Sequence, residues 1–185
     1  MKFNSKAFFF AAVAAVGITF GLTSCDKDLL NVDVPMEFAD ITFTIPATTE
    51  AIDFADERTV ETNIEKILSD NKVKKENIKS IKLVSLVLVI DKDSASTDTV
   101  NNFRILQSIK GEIAKDGGSF TTVGEVSNNP DVEKYSLSVP VSNAEFKDYL
   151  DATTFKFKVS GRTRGAVTSP ITVKATIKFT MNAGI

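Results

Sequence analysis

The chain is expected to be all-β, an antiparallel β-sandwich of immunoglobulin-like kind with about seven or eight short strands and one amphipathic helix near residues 59–70. Three observations predict this. Apolar and polar residues alternate with period two in stretch after stretch, the mark of strands with one buried and one wet face. Turn-forming residues, among them Pro46, Gly117, Gly118, Pro130, Pro140 and Pro170, punctuate those stretches. Only one stretch recurs convincingly at helical spacing.

The elements follow in order. Ile41, Phe43 and Ile45 alternate with Thr42 and Thr44 and stop at Pro46, a half-buried strand. Ile52 and Phe54 form a second alternating pair, a hairpin partner or a continuation after the turn at Thr48 and Thr49. Val60, Ile64, Ile67 and Leu68 then recur as one apolar helical stripe, with Thr59 as N-cap or Thr62 as the alternative. Such a stripe must lie on something. Residues 81–90 are apolar on both faces of an extended strand, which predicts a central strand with one face in the core and the other under that helix. Ten residues are too few to span a bilayer.

Residues 91–98 form a polar loop with spaced carboxylates, a composition that suits hard cations. The EF-hand pattern fails, because Ala95 stands where an oxygen ligand is needed and neither the glycine nor the closing glutamate is in place. A solvated loop without metal is therefore expected. Phe103, Ile105, Ile109, Gly111 and Ile113 alternate with an interruption near 106–108 that suggests a bulge, and Gly117-Gly118 ends the run. Residues 120–126, with Gly124 inside, are a weaker strand. Tyr135, Leu137 and Val139 alternate up to Pro140, and residues 143–150 suit a helical turn across one end. Phe155, Phe157 and Val159 alternate with lysines, as do Ile171, Val173, Ala175, Ile177 and Phe179 with threonines and lysines. These two read as a hairpin, its long tip holding Gly161, Gly165, Pro170, Arg162 and Arg164.

Absences narrow the chemistry. There is no histidine and no tryptophan, and the chain has one cysteine, Cys25. A Ser-His-Asp triad, a Cys-His pair, a histidine-ligated zinc and a His-ligated haem all need residue types that are missing. Asp53, Asp56 and Glu57 are carboxylates that a hydrolase could use, but nothing in their pattern pushes two pKa values apart. The expectation is no catalytic residue, no cofactor and no metal.

The first 25 residues carry a specific resemblance. Lys2 and Lys6 precede a charge-free apolar run, residues 7–22, and Leu22-Thr23-Ser24 leads directly to Cys25. This resembles the lipobox of bacterial lipoproteins position by position. The resemblance implies cleavage between Ser24 and Cys25, diacylglycerol on the Cys25 thiol and acylation of the new amino group. Asp26-Lys27-Asp28 resembles the acidic segment behind the lipidated cysteine of surface lipoproteins from gut anaerobes; a solvated linker explains it equally. Residues 1–24 are then a removed signal peptide, 25–37 a lipidated terminus and tether containing Pro35, and 38–185 one sandwich domain. Losing Lys2 and Lys6 leaves a formal charge of about −4, which argues against nucleic acid as a partner. The domain also resembles, more distantly, the sandwich of late-embryogenesis-abundant type 2 (water-stress) proteins in residues 78–90, 135–150, 155–159 and 171–179. That likeness implies a non-enzymatic envelope protein.

The expected function is that of a non-catalytic cell-envelope lipoprotein, held through lipid on Cys25 in the outer membrane and displayed on the surface. It would present its sandwich to a protein or glycan partner in a structural or adhesive role. Arg162 and Arg164 are the candidate contact, since loops carry binding and arginine favours interfaces. The outward lysines Lys156, Lys158, Lys174 and Lys178 suggest a flat basic face, or simply the wet side of a sheet. The alternative function is a small-ligand or glycan-binding accessory lipoprotein of an uptake system, weakened by having only Tyr135 and Tyr149 besides phenylalanines as aromatic platforms.

Overall fold

The alternating stretches become eight strands in a computed structural model that describes residues 30–90 and 102–185. They are β1 (Asn31–Ile45), β2 (Asp53–Glu61), β3 (Ile78–Ile90), β4 (Leu106–Ala114), β5 (Thr121–Val126), β6 (Ser136–Val139), β7 (Thr154–Thr163) and β8 (Ile171–Gly184). Two short helices, α1 (Ile64–Asp70) and α2 (Lys147–Leu150), complete the set. The segment expected to be a signal peptide, residues 1–24, together with Cys25 and the polar loop at 91–98, lies outside the described residues.

All pairings are antiparallel, and the strands sort into two four-stranded sheets, ordered β1-β8-β3-β6 and β2-β7-β4-β5. The expected all-β sandwich is present. Its connectivity is that of a jelly roll: apart from the β4–β5 hairpin, every connection crosses from one sheet to the other. An immunoglobulin domain instead keeps strands A, B, E and D in one sheet and C, F and G in the other.

The crossing revises the expected final hairpin. β7 and β8 belong to different sheets, so the segment between them spans the sandwich instead of reversing along one edge. Alternation reports which face of a strand is buried but not which sheet the strand joins. The four lysines consequently do not share a face. Lys156 and Lys158 stand on the outside of one sheet, Lys174 and Lys178 on the outside of the other.

The helix is shorter than expected. Residues 53–61 pair with β7 over their whole length, with Thr59 opposite Lys156 and Val60 opposite Phe155, so helical geometry begins only at Ile64. Thr62, not Thr59, serves the helix start: its hydroxyl accepts from the Ile64 N–H at 3.3 Å and donates to the Ala152 carbonyl at 2.6 Å. Nor does α1 cover β3. The outer face of β3 is wet, with Val84 56% and Val89 41% exposed. Register shifts at Ile78/Ser80 and Leu83/Ser85 each absorb one residue, which keeps Ile81, Leu83, Leu86, Leu88 and Ile90 inward while Val84 and Val89 turn out.

β1 begins at Asn31, so the segment expected to be tether up to residue 37 is strand from 31 onward. Val34 and Met36 fill the core, and Pro35 is tolerated because β1 is an edge strand. A bulge between Phe38 and Ile41, with Asp40 at φ 57°, rephases the strand so that Ile41, Phe43 and Ile45 also point inward.

Between the sheets the phenylalanines meet edge to face. Phe38 lies 5.2 Å from Phe155 and 5.9 Å from Phe179, Phe179 lies 5.7 Å from Phe146, and Phe43 lies 5.5 Å from Phe157. Both long sides of the sandwich are closed. On one, the Thr44 N–H donates to Asp56 at 2.9 Å and Arg58 Nε donates to the Thr42 carbonyl at 2.8 Å, so β2 side chains occupy the edge of β1. On the other, the Ser142 N–H donates to the Val123 carbonyl at 2.7 Å, and Gly124 stands opposite Val141.

The registers also define two ends. Asn31 pairs with Gly184 and Ile78 with Ala183, so the start of β1, the end of β8 and the helices gather at one end. Ile45 pairs with Ile171, Ile90 with Val173, and the β5–β6 and β7–β8 connections gather at the other, here called the loop end.

Candidate functional site

At the loop end an open cleft of about 530 Å³ lies between the segment that precedes β4, the β5–β6 connection and the β7–β8 connection. Asn102, Arg104, Asp131, Glu133 and Arg164 supply its polar lining. Asn102 caps the short turn at Phe103–Ile105, its side chain accepting from the Arg104 N–H at 2.9 Å, and Phe103 is buried beneath it. That turn is stitched to the end of β7: the Arg164 N–H donates to the Ile105 carbonyl at 2.7 Å, and Arg164 Nε donates to the Arg104 carbonyl at 3.2 Å.

The third segment is held by Asn129, which is almost fully buried. Its side-chain amide donates to the carbonyls of Phe103 at 2.7 Å and Leu106 at 3.1 Å, and its backbone N–H donates to the Gln107 carbonyl at 2.9 Å. The Asn129 carbonyl in turn accepts from Arg164 Nη2. Three segments distant in sequence therefore converge on one asparagine and one arginine.

The charges in the cleft are partly matched. Arg104 Nε lies 2.6 Å from Asp131, and both groups are well exposed. The hydrogen bond from Arg104, reinforced by the charges of Arg104 and Arg164, holds the Asp131 carboxyl below the usual carboxylate range. The same hydrogen bond and the Asp131 charge push Arg104 upward. The Tyr135 hydroxyl donates to Glu133 at 2.8 Å, and that bond raises the phenol above its ordinary value. Arg164 is fixed through carbonyls and makes no ion pair with any described residue. Its guanidinium keeps donors that could receive a carboxylate or another anionic group from outside.

The two arginines expected to act together have different settings. Arg162 is the outward residue opposite Asp53 on β2, bound to its carboxylate at 3.0 Å, whereas Arg164 lines the cleft. Asp53, Asp56 and Glu57 are each held by a cation: Arg162, Arg58 and Lys156 respectively, the last at 3.0 Å. On the outside of the β2-β7-β4-β5 sheet, Glu112 sits nearly buried between Lys158 at 2.8 Å and Lys110 at 3.0 Å. Burial pushes its carboxyl up, but the hydrogen bonds from both lysines outweigh it and hold Glu112 below its ordinary value. Lys158 also lies 3.9 Å from the centre of the Phe120 ring. Lys178 pairs with Glu37 at 3.1 Å. Both lysine rows are thus interleaved with partners.

Among the described residues no group of three or more His, Cys, Asp or Glu is placed to hold a metal ion, and no helix is long and apolar enough to cross a membrane. Arg104, Asn129 and Asp131 carry the cleft but have no signature in the sequence beyond the Asn128-Asn129-Pro130 loop, because their partners lie tens of residues away.

No protein-family model matches the chain, and no curated protein matches it. Among solved structures, the crystal structure of decameric BFDV capsid protein is similar at 11% identity and a TM-score of 0.40, covering 84% of this chain and 99% of that one. A chain from desmodium yellow mottle tymovirus is similar at 12% identity and a TM-score of 0.27, covering 91% of this chain and 96% of that one. At such scores neither bears on function, and the fold stands on its own hydrogen-bonded registers.

Proposed function

We propose that the chain is a non-catalytic lipoprotein of the bacterial cell envelope, anchored through lipid on Cys25 and presenting its sandwich to a protein or glycan partner in a structural or adhesive role. The observation that carries this reading is the separation of the two ends. The chain enters the sandwich at Asn31, next to Gly184, while the cleft with Arg104 and Arg164 lies at the opposite end. An anchor at Cys25, six residues before Asn31, would leave that cleft facing away from the lipid. A partner bearing acidic groups suits the donors of Arg164. The outer membrane is the proposed location, with the loop end outermost.

The second reading, a small-ligand or glycan-binding accessory lipoprotein of an uptake system, is favoured by the cleft volume, which falls within the range of small-molecule sites. Metabolic labelling with radioactive palmitate tests the anchor: the wild-type chain should take up label and Cys25→Ala should not. Retained label in that variant would overturn the lipid assignment. Glycan arrays and cross-linking on intact cells test the partner. Arg164→Glu should lose a contact made at the cleft while its far-ultraviolet spectrum stays unchanged. Equal capture by wild type and variant would move the contact elsewhere.

A further inference from the structure

We infer that the end of the sandwich next to Asn31 is itself a lipid-docking surface, so that the domain lies against the bilayer instead of swinging on its tether. This rests on the reading of Cys25 as the lipid anchor. Three independent features converge at that end. The first is reach. With β1 starting at Asn31, only residues 26–30 separate the anchor from the folded domain, at most about 17 Å of fully extended chain. Asn31, and Lys79 bonded to it, are therefore held within that distance of the headgroups.

The second feature is apolar exposure. Few large hydrophobic side chains are exposed among the described residues, and two of them, Leu30 at 63% and Ile185 at 44%, sit together here. The Ile185 N–H donates to the Leu30 carbonyl at 2.9 Å, which fixes the two residues side by side beside the tether. Exposed apolar residues at the mouth of an anchor suit insertion at the boundary between headgroups and acyl chains.

Charge is the third. Lys72, Lys74, Lys75 and Lys79 are all exposed within eight residues that contain a single acid, Glu76. Lys79 Nζ donates to the Asn31 side chain at 2.5 Å, which places this segment directly beside the chain entry. Lys75 is committed to Asp151 at 3.0 Å, whereas Lys72 and Lys74 make no ion pair among the described residues. Basic side chains next to an apolar pair, at the anchored end, match an anionic lipid surface. The loop end differs in lying the length of the sandwich away from the chain entry.

Depth measurement by site-directed spin labelling tests the inference in the full lipidated chain reconstituted into vesicles. Cys25 is the sole cysteine and its thiol would carry lipid, so one introduced cysteine takes the label alone. Glu76→Cys reports on the proposed surface, and Gly165→Cys, where a side chain meets open space, reports on the loop end. In vesicles of phosphatidylcholine with phosphatidylglycerol, the label at 76 should gain oxygen accessibility and lose accessibility to a water-soluble nickel chelate. The label at 165 should show neither change. Adding K72E/K74E/K79E should return the label at 76 to the aqueous values while the protein still floats with the vesicles and keeps its melting temperature. Equal aqueous accessibility at 76 and 165 in floating protein would overturn docking and leave the anchor standing. Protein that fails to float at all would overturn both.

Discussion

Asn129 provides the sharpest test of how the loop end is built. Asn129→Ala removes two side-chain hydrogen bonds, about 1 kcal/mol each, and leaves the Phe103 and Leu106 carbonyls without those donors. One effect opposes the loss. The Asn129 Oδ1 is buried without a partner, and its removal relieves about 1–3 kcal/mol of that kind of cost. The two carbonyls left short of a donor cost about 1–3 kcal/mol each, and with the relief at Oδ1 taken off the central expectation is a destabilisation of about 2 kcal/mol, at roughly 2–4 °C of melting temperature for each kcal/mol in a domain of this size. Asn129→Asp should be worse at pH 7, by about 3–5 kcal/mol in all, because a buried carboxylate can only accept and would face two carbonyls. The sign of the pH dependence follows. Burial and the carbonyls raise the folded-state pKa of the introduced carboxyl above its unfolded value near 3.9. The stability of its neutral form is fully present below about pH 3.9 and is lost as pH rises through the raised folded value. Urea denaturation of wild type and both variants from pH 3 to pH 8 measures this directly. An aspartate variant no less stable than the alanine variant at pH 7, or a gap that does not change with pH, would refute the donor role of the Asn129 amide.

Three further outcomes are expected. Gly124→Val should cost about 1–3 kcal/mol in urea denaturation, because a Cβ there lies 2.6 Å from the Pro140 carbonyl, a backbone atom that cannot step aside cheaply. Lys158→Met should raise the Glu112 pKa, measurable by NMR titration; since the wild-type value is depressed, the variant's deficit should be present at pH 7 and shrink as pH falls through the Glu112 titration. Phe179→Ala should destabilise by about 3–5 kcal/mol in thermal or chemical unfolding, and a double-mutant cycle with Phe38 should return a coupling of about 0.5–1.5 kcal/mol.

The strands were legible because each has a buried face, and period-two alternation is the direct imprint of that burial. The bulge near 106–108 was legible for the same reason, as a break in phase, and the β4–β7 register does shift between Leu106 and Ser108. What alternation lacks is an address. Ile171 to Phe179 alternates identically whether β8 lies beside β7 or, as it does, between β1 and β3. Val60 fits a helical stripe with Ile64 and equally fits a strand partner of Phe155, and only the long pairing of β2 with β7 decides. Residues 31–37 looked like tether because Pro35 and the acidic residues hid the inward pair Val34 and Met36. At the loop end, Arg164 was visible as an exposed arginine on a connection. Its dependence on Asn129 was not, since the two are joined by tertiary crossing and by no local pattern.

The position of β8 governs the order in which this protein can assemble. β8 is the shared neighbour of β1 and β3, and Asp33 bonds to Asn182 across 149 positions of sequence. As the chain leaves the ribosome, β1 therefore has no strand partner within its own sheet until β8 arrives, and that sheet cannot zip progressively. Topologies dominated by such distant pairs fold in milliseconds to seconds. Until β8 emerges, β1 and β3 present open edges rich in apolar residues to whatever else is nearby.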